Sequence, residues 1–244
     1  MAKKIKAVIF DFDGTLYDQK GFAFKLIATD LKNAFKAKAE RDVRKKIRDT
    51  DFGNHEKFLE NFTEYSAAKI NMDPEKYRDW YINTYMPHFI SVLSKWKSRP
   101  QVNMVFETLK NNKIKTAIFS DYGFTKERCE ALKINLKNVD VIISAEEAGV
   151  LKPAKRGFTE VALALKVKPE ECIVIGDRID TDGEGAKRCG MKFIQIATKR
   201  TKKILGKKQF LQIQEKDFEY TIQTWENFLE KINIIPLPKA ATGS

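Results

Sequence analysis

The sequence predicts an α/β fold: a parallel β-sheet with helices on both faces, opened early in the chain by an all-helical insertion. Three observations carry this prediction. Short β-branched and apolar runs recur along the chain, helical patterns lie between them, and one long stretch near the start has no strand-like run at all. Strand and helix in alternation give a sheet covered on both faces. Open sheets of this kind bind ligands outside the carboxyl ends of their strands, so those ends are where chemistry is sought.

The first strand is Ala7-Val8-Ile9-Phe10, all apolar, as a strand buried on both faces should be. Residues 19–99 then read as four or so amphipathic helices rich in Phe, Tyr and Lys, among them Phe22 to Lys36, His55 to Lys69 and Pro74 to Trp96. Asp18 to Gly21 and Ser98-Arg99-Pro100 are plausible hinges, the second because proline disfavours helix in the residue before it. Further strands follow at Thr116 to Phe119, Val139 to Ile143, Cys172 to Ile175 and Lys192 to Ile196, with a weaker one at Phe218 to Ile222. Helical patterns at Val102 to Asn111, Lys126 to Leu132, Phe158 to Leu165 and Gly183 to Cys189 separate them. The expected organisation is an α/β core made of residues 1–18 and 100–235, a helical insertion at 19–99, and an unstructured tail at 236–244.

At 244 residues and 43% hydrophobic, the chain can build one α/β domain and a smaller appendage. No run of about 18 apolar residues is present, so no membrane partner is expected. The amino terminus enters the first strand with neither a signal nor a transit pattern, and a cytoplasmic location is the expectation. Cys129, Cys172 and Cys189 are an odd number, widely spaced, and read as reduced thiols. The net charge of +12 raises a nucleic-acid reading, concentrated in residues 199–208, where six of ten side chains are basic. Elsewhere the lysines are scattered, often beside acids, so that run reads as a solvated loop, and nucleic acid is not the expected partner.

The strand ends carry the chemistry. Asp11-Phe12-Asp13-Gly14-Thr15 follows the first strand and puts two carboxylates two residues apart before a glycine turn. Ser120-Asp121 follows the second. Lys152-Pro153 comes after the third, and Gly176-Asp177, with Asp180 and Asp182 beyond it, after the fourth. Several carboxylates, a hydroxyl and an ammonium thus gather on one rim. Clustered carboxylates repel unless a cation sits among them, and an all-oxygen site suits Mg²⁺. Asp182 could also serve as the amino-terminal cap of the helix that follows.

In order and spacing these residues resemble the four motifs of the haloacid dehalogenase (HAD) superfamily, and the likeness covers roughly residues 5–18 and 100–235. It implies a Rossmann-like α/β core with a C1-type helical cap and a phosphatase that forms an aspartyl-phosphate. By that resemblance Asp11 is the nucleophile and Asp13 the general acid and base. Ser120, Asp121 and Lys152 bind phosphate, and Asp11, Asp13 (through its carbonyl), Asp177 and Asp182 hold or orient Mg²⁺. An aspartate at position 13 favours phosphatases or phosphomutases over dehalogenases, whose halide leaves without a proton. The implied substrate is a small phosphorylated metabolite. A phosphomutase of the β-phosphoglucomutase kind is the near alternative, and a basic nucleic-acid-binding protein on a HAD-like scaffold the distant one. Two departures from the commonest phosphatase pattern, Ala154-Lys155-Arg156 after Lys152-Pro153 and Arg178 where many relatives have serine, leave the substrate open, and the oligomeric state is not set by the sequence. Arg48, Asn54, His55 and Lys57 are the insertion's candidates for substrate contact.

Overall fold

The computed structural model describes residues 5–196 and 220–222, with positions 225, 228 and 229. Six strands form one sheet in the order β3-β2-β1-β4-β5-β6: β1 Ala7–Phe10, β2 Lys115–Ser120, β3 Val141–Ser144, β4 Cys172–Gly176, β5 Lys192–Ile196 and β6 Tyr220–Ile222. Every pairing is parallel. The central strand β1 lies between β2 and β4, with Phe10 in register with both Ile118 and Ile175. Chain order runs outward from β1 in one direction through β2 and β3, then in the other through β4, β5 and β6. The carboxyl end of β1 is therefore the switch point at which such sheets open a crevice.

Helices α6 (Val102–Asn111), α7 (Thr125–Ala131), α8 (Ala145–Ala148), α9 (Lys155–Ala164) and α10 (Glu184–Arg188) connect the strands. Apolar burial fastens them. Phe10 meets Phe106 of α6 edge to face at 4.9 Å, and Phe119 of β2 meets Phe158 of α9 at 5.1 Å. Trp225 and Phe228 pack against Phe10 as well, at 5.8 and 6.1 Å.

Between β1 and α6 the described chain is helical: α1 Phe22–Ala28, α2 Ala34–Lys46, α3 His55–Lys69, α4 Pro74–Trp80 and α5 Met86–Leu93. The way in and the way out are stitched together. Tyr17 and Ser98 form an antiparallel bridge, the Arg99 N–H donates to Leu16 O at 2.7 Å, and Trp96 Nε1 donates to Asp18 O at 2.9 Å. The far end, residues 49–54, docks on the core as well: Phe52 N–H donates to Gly149 O, and Arg156 holds both carboxylate oxygens of Asp51.

Several elements differ from the sequence reading for local reasons. The helix expected over 22–36 breaks after Ala28, where Thr29 Oγ1 bonds back to Lys25 O and the Asp30 carboxylate takes the Asn33 amide. A single 3₁₀ turn, Leu31–Asn33, bridges the break. The helix expected over 74–96 ends at Leu93 and runs through Pro87 by widening to a π-turn at Tyr81–Tyr85 just before it. The wider turn accommodates a residue that has no N–H to donate. The third strand begins at Val141: the Asp140 N–H still donates to Thr116 O, but the Thr116 N–H goes to the Asp140 carboxylate and not to a strand carbonyl. The basic run 199–208, the tail 236–244 and the first two residues of the weak last strand lie outside the described residues.

Candidate active site

At the end of β1 the Asp11 N–H donates to Ile175 O of β4, which fixes where the chain leaves the sheet. Gly14 then turns with φ of +88°, and a Cβ there would lie 2.4 Å from Asp177 Oδ2. Glycine is needed at this position twice over, for the backbone angle and for the close approach of a carboxylate. Arg99 secures the same loop by donating to the carbonyls of Thr15 and Gly14. A similar close approach occurs at Gly176, where a Cβ would lie 2.4 Å from Asp182 Oδ2.

Three carboxylates converge here. One oxygen from each of Asp11, Asp177 and Asp182 lies within 4.8 Å of the other two. Lys152 is buried among them, donating to Asp11 Oδ1 at 2.7 Å and Asp182 Oδ1 at 2.8 Å. The second Asp11 oxygen accepts from Thr15 Oγ1 at 2.8 Å. One ammonium among three carboxylates leaves an excess of negative charge. Burial pushes the Asp182 carboxyl up to about 7, with the Asp11 charge adding to the effect. Burial, then Asp11 and Asp182, hold Asp177 well above the usual carboxylate range, and burial raises Asp11 despite Lys152. For Lys152 burial works the other way, but Asp11 and Asp182 overcome it and keep the ammonium charged.

This donor set fits a hard divalent cation. Asp177 Oδ1 is cut off from solvent and has no hydrogen-bond partner, whereas both oxygens of Asp11 and one of Asp182 have one. A buried carboxylate oxygen left unpartnered is costly, and a cation bound by oxygens removes that cost.

Asp13 is held differently. Arg128, fully buried on α7, donates from one terminal nitrogen to both Asp13 oxygens. The other terminal nitrogen of Arg128 donates to Ser120 Oγ at 2.8 Å. The Tyr17 hydroxyl donates to Asp13 Oδ1 at 2.8 Å. Burial and then the Asp13 charge drive the Tyr17 phenol well above its ordinary range, so it remains a donor. Ser120 is itself fully buried, and its hydroxyl also accepts the Tyr122 N–H and reaches Asp13 at 3.3 Å. The Asp121 side chain accepts the Lys152 N–H at 2.9 Å and so ties two strand-end loops together.

A second buried charge cluster joins the insertion to this site. Arg44 of α2 donates to Glu40 and to Glu146 of α8, both at 2.6 Å, and to Asp121 O at 3.0 Å. The Tyr81 hydroxyl donates to the same Glu146 oxygen at 2.6 Å. The Tyr122 ring lies under the Arg44 guanidinium at 4.1 Å.

The residues singled out from the sequence thus fall into groups. Asp11, Asp177, Asp182 and Lys152 come together, and Asp13 and Ser120 stand beside them in a hydrogen-bonded set of their own. Asp182 does not cap a helix: Gly183 occupies that position of α10, and Asp182 lies inside a wide turn, Ile179–Gly183, with its carboxylate on Lys152. Asp180 is exposed and pairs with Arg178 and Arg48. Asn54 caps α3 through Lys57 N–H, and His55 Nδ1 sits 3.1 Å from Glu146 O. Of the insertion's four candidates, Arg48 alone lines the cavity over Asp11.

Arg128, Tyr17 and Arg44 were not singled out from the sequence. Arg128 left a readable trace, since Thr125, Arg128, Cys129 and Leu132 share one buried helical face, and an arginine on such a face needs a partner. Arg44 on α2 likewise shares its face with Glu40 and Val43.

The chain resembles known proteins over most of its length. The family model described as haloacid dehalogenase-like hydrolase matches residues 5–190. A glyceraldehyde 3-phosphate phosphatase from Methanopyrus kandleri is 28% identical over 204 residues, spanning 79% of this chain and 84% of that protein. One from Pyrococcus furiosus is 26% identical over 239 residues, 93% of each chain. Among solved structures, a HAD phosphatase from Thermococcus onnurineus superposes with a TM-score of 0.59 at 18% identity, over 96% of this chain and 100% of that one. The L-2-haloacid dehalogenase from Xanthobacter autotrophicus gives 0.63 at 15% identity, over 94% and 98%, and such likenesses speak for the fold alone. With a family model matched across most of the sequence and the strand-end carboxylates gathered at one switch point, the chain belongs to the haloacid dehalogenase-like hydrolases.

Proposed function

We propose that this hydrolase is a Mg²⁺-dependent phosphatase that cleaves small phosphate monoesters through an aspartyl-phosphate on Asp11. The observation that carries the reading is the buried cluster of Asp11, Asp177, Asp182 and Lys152, with one carboxylate oxygen left unpartnered. Relatives named as phosphatases, including a ribulose-1,5-bisphosphate 5-phosphatase from Halopiger xanaduensis at 25% identity, support the same reaction class.

Asp11, Asp177 and the main-chain carbonyl of Asp13 would hold Mg²⁺, with Asp182 beside them. The ion supplies the positive charge that lets an anionic nucleophile approach an anionic phosphate. Thr15 and Lys152 orient the Asp11 carboxylate by bonding one oxygen each. That carboxylate attacks phosphorus, and the bond from phosphorus to the leaving oxygen breaks as Asp13 delivers a proton to that oxygen. Asp13 then takes a proton from the water that cleaves the acyl phosphate, releasing inorganic phosphate and restoring Asp11. Arg128 and Tyr17 hold the Asp13 side chain in place for both transfers. Lys152, and the loop of Ser120 and Asp121 that Arg44 and Lys152 secure, offer donors for the non-bridging oxygens. The helices of residues 19–99 act as the cap that covers the leaving group. A cytoplasmic location completes the reading, in keeping with cysteines that are all free among the described residues.

A phosphate-release screen over many monoesters, with Mg²⁺ and with a chelator, tests the proposal. Turnover in Mg²⁺ that the chelator abolishes is the expected result. Release that persists in the chelator, or in pure Asp11→Asn protein, would overturn it.

A further inference from the structure

Over Asp11 lies a cavity of about 990 Å³, at the upper end of the range for small-molecule sites and far larger than one phosphate group needs. Its floor is acidic, with Asp11, Asp13, Asp177 and Asp182 in the lining. Helix α2 supplies a wall of the opposite sign. Ala37, Arg41, Arg44 and Lys45 line the cavity at the three- and four-residue spacings that put side chains on one helical face, and Arg48, in the turn just past the helix, lines it too.

The four cations along this wall are not equivalent. Arg44 is buried and wholly engaged by Glu40, Glu146, Tyr81 and Asp121. Arg48 donates to Asp180 at 3.2 Å. Arg41 and Lys45 are exposed, and neither has an ion-pair partner among the described residues. They stand four residues apart, roughly 6 Å along the helix axis, a spacing at which like charges repel. The acid nearest them in sequence on this lining, Glu40, is already bonded to Arg44. Two open cations on the wall of a cavity floored by the reaction centre are placed to meet an anion at the far end of a bound ester. The aliphatic side chains of Ala23, Ile27 and Ala37 border the same space and leave room for a carbon skeleton between the two ends.

We propose that the substrate carries a second anionic group, a phosphate or a carboxylate, on its leaving group, and that Arg41 and Lys45 bind it. This deepens the phosphatase reading and rests on it. The preference it predicts is for bisphosphates or phosphorylated acids over esters with a neutral leaving group. Charge-assisted hydrogen bonds of arginine and lysine to such groups are the stronger class of polar contact.

Steady-state kinetics on two matched pairs test this, using the full chain in Mg²⁺. One pair is 3-phosphoglycerate against glycerol 3-phosphate; the other is fructose 1,6-bisphosphate against fructose 6-phosphate. The wild type is expected to favour the member with two anions by about tenfold or more in kcat/KM in at least one pair. The pair that shows the preference identifies the group as carboxylate or phosphate. Arg41→Gln/Lys45→Gln, checked for an unchanged circular dichroism spectrum and Tm, should shrink that ratio about tenfold, chiefly through KM. Arg41→Lys, which retains the charge, should preserve most of it. Ratios near one in both pairs, with p-nitrophenyl phosphate still hydrolysed, would sink the anion site and leave the phosphatase reading standing. A ratio that the double substitution leaves untouched would also sink it. If no ester is turned over, the phosphatase reading fails and takes the anion site with it.

Discussion

Two buried charge clusters lie close together in this protein, and they are built on opposite plans. Around Arg44 the accounts balance in hydrogen bonds: the guanidinium is shared among two glutamates, a carbonyl and a tyrosine hydroxyl. Around Asp11 they do not: three carboxylates share one lysine, and Asp177 keeps a buried oxygen with no partner. The first cluster joins the inserted helices to the sheet. The second stores unfavourable electrostatics where a cation and a phosphate are expected to bind. Low-dielectric surroundings make a satisfied network rigid and an unsatisfied one reactive, so the same burial serves architecture in one place and chemistry in the other.

The sharpest way to break this comparison is to remove one acid from each cluster. Asp11→Asn should lower phosphate release by about 10⁴-fold or more, while Tm holds, because the change relieves repulsion among carboxylates. Glu146→Ala should do the reverse, costing about 3 kcal/mol of stability in a denaturant titration by stripping Arg44 of a buried partner. If Asp11→Asn unfolds the protein, or Glu146→Ala leaves its stability unchanged, the two clusters do not differ in the way described.

Arg128 offers a test inside the site itself. Arg128→Met leaves Asp13 with Tyr17 and the distant Ser120 for orientation, and kcat should fall on the order of 10²-fold. Esters with a good leaving group, which need little help from an acid, should suffer less. Equal loss across all leaving groups would separate Arg128 from the acid-base role of Asp13.

The smallest expected effect is one of pH. Asp182 in the metal-free protein has its carboxyl raised to about 7, chiefly by burial, and Asp177 is raised as well. Groups whose folded pKa exceeds the unfolded value near 4 bind protons more tightly when folded. Their contribution to stability is complete below pH of about 4 and is lost as pH rises through about 7. Metal-free protein should therefore lose Tm between pH 5 and 8. Mg²⁺ at about 100 times its Kd should restore roughly 2.7 kcal/mol at the alkaline end and less at the acid end, where it competes with protons. A metal-free Tm that rises steadily across that range would contradict the assignment.

Much of the fold was legible in the residues. The buried apolar runs gave the strands, and α3 and α6 lie at the limits their patterns set, His55–Lys69 and Val102–Asn111. Boundaries slipped where one side chain competed with the backbone, as Thr29 and Asp30 do after α1 and Asp140 does before β3. The candidate site was legible in part. Asp11 and Asp177 could be named because each directly follows an apolar strand and parallel strands deliver their carboxyl ends to one edge, while Lys152 and Asp182, further along, were named through the resemblance to the HAD motifs. Arg128 lay one inference away, as a cation on a buried helical face.

Other features were beyond one-dimensional reading. The crowding that closes Gly14 to a side chain comes from Asp177, far along the chain, and that at Gly176 from Asp182, which folds back onto it. The union of Arg44, on a helix inserted after β1, with Glu146, just after β3, spans 102 positions and has no local signature. The sequence by itself determined which strands form, their parallel alternation with helices, and the acidic chemistry at their ends, because periodicity and residue type act over a few neighbours. Tertiary structure alone decided which charges are satisfied and which are left open, because pairing in a buried site depends on distances that only the packed chain sets.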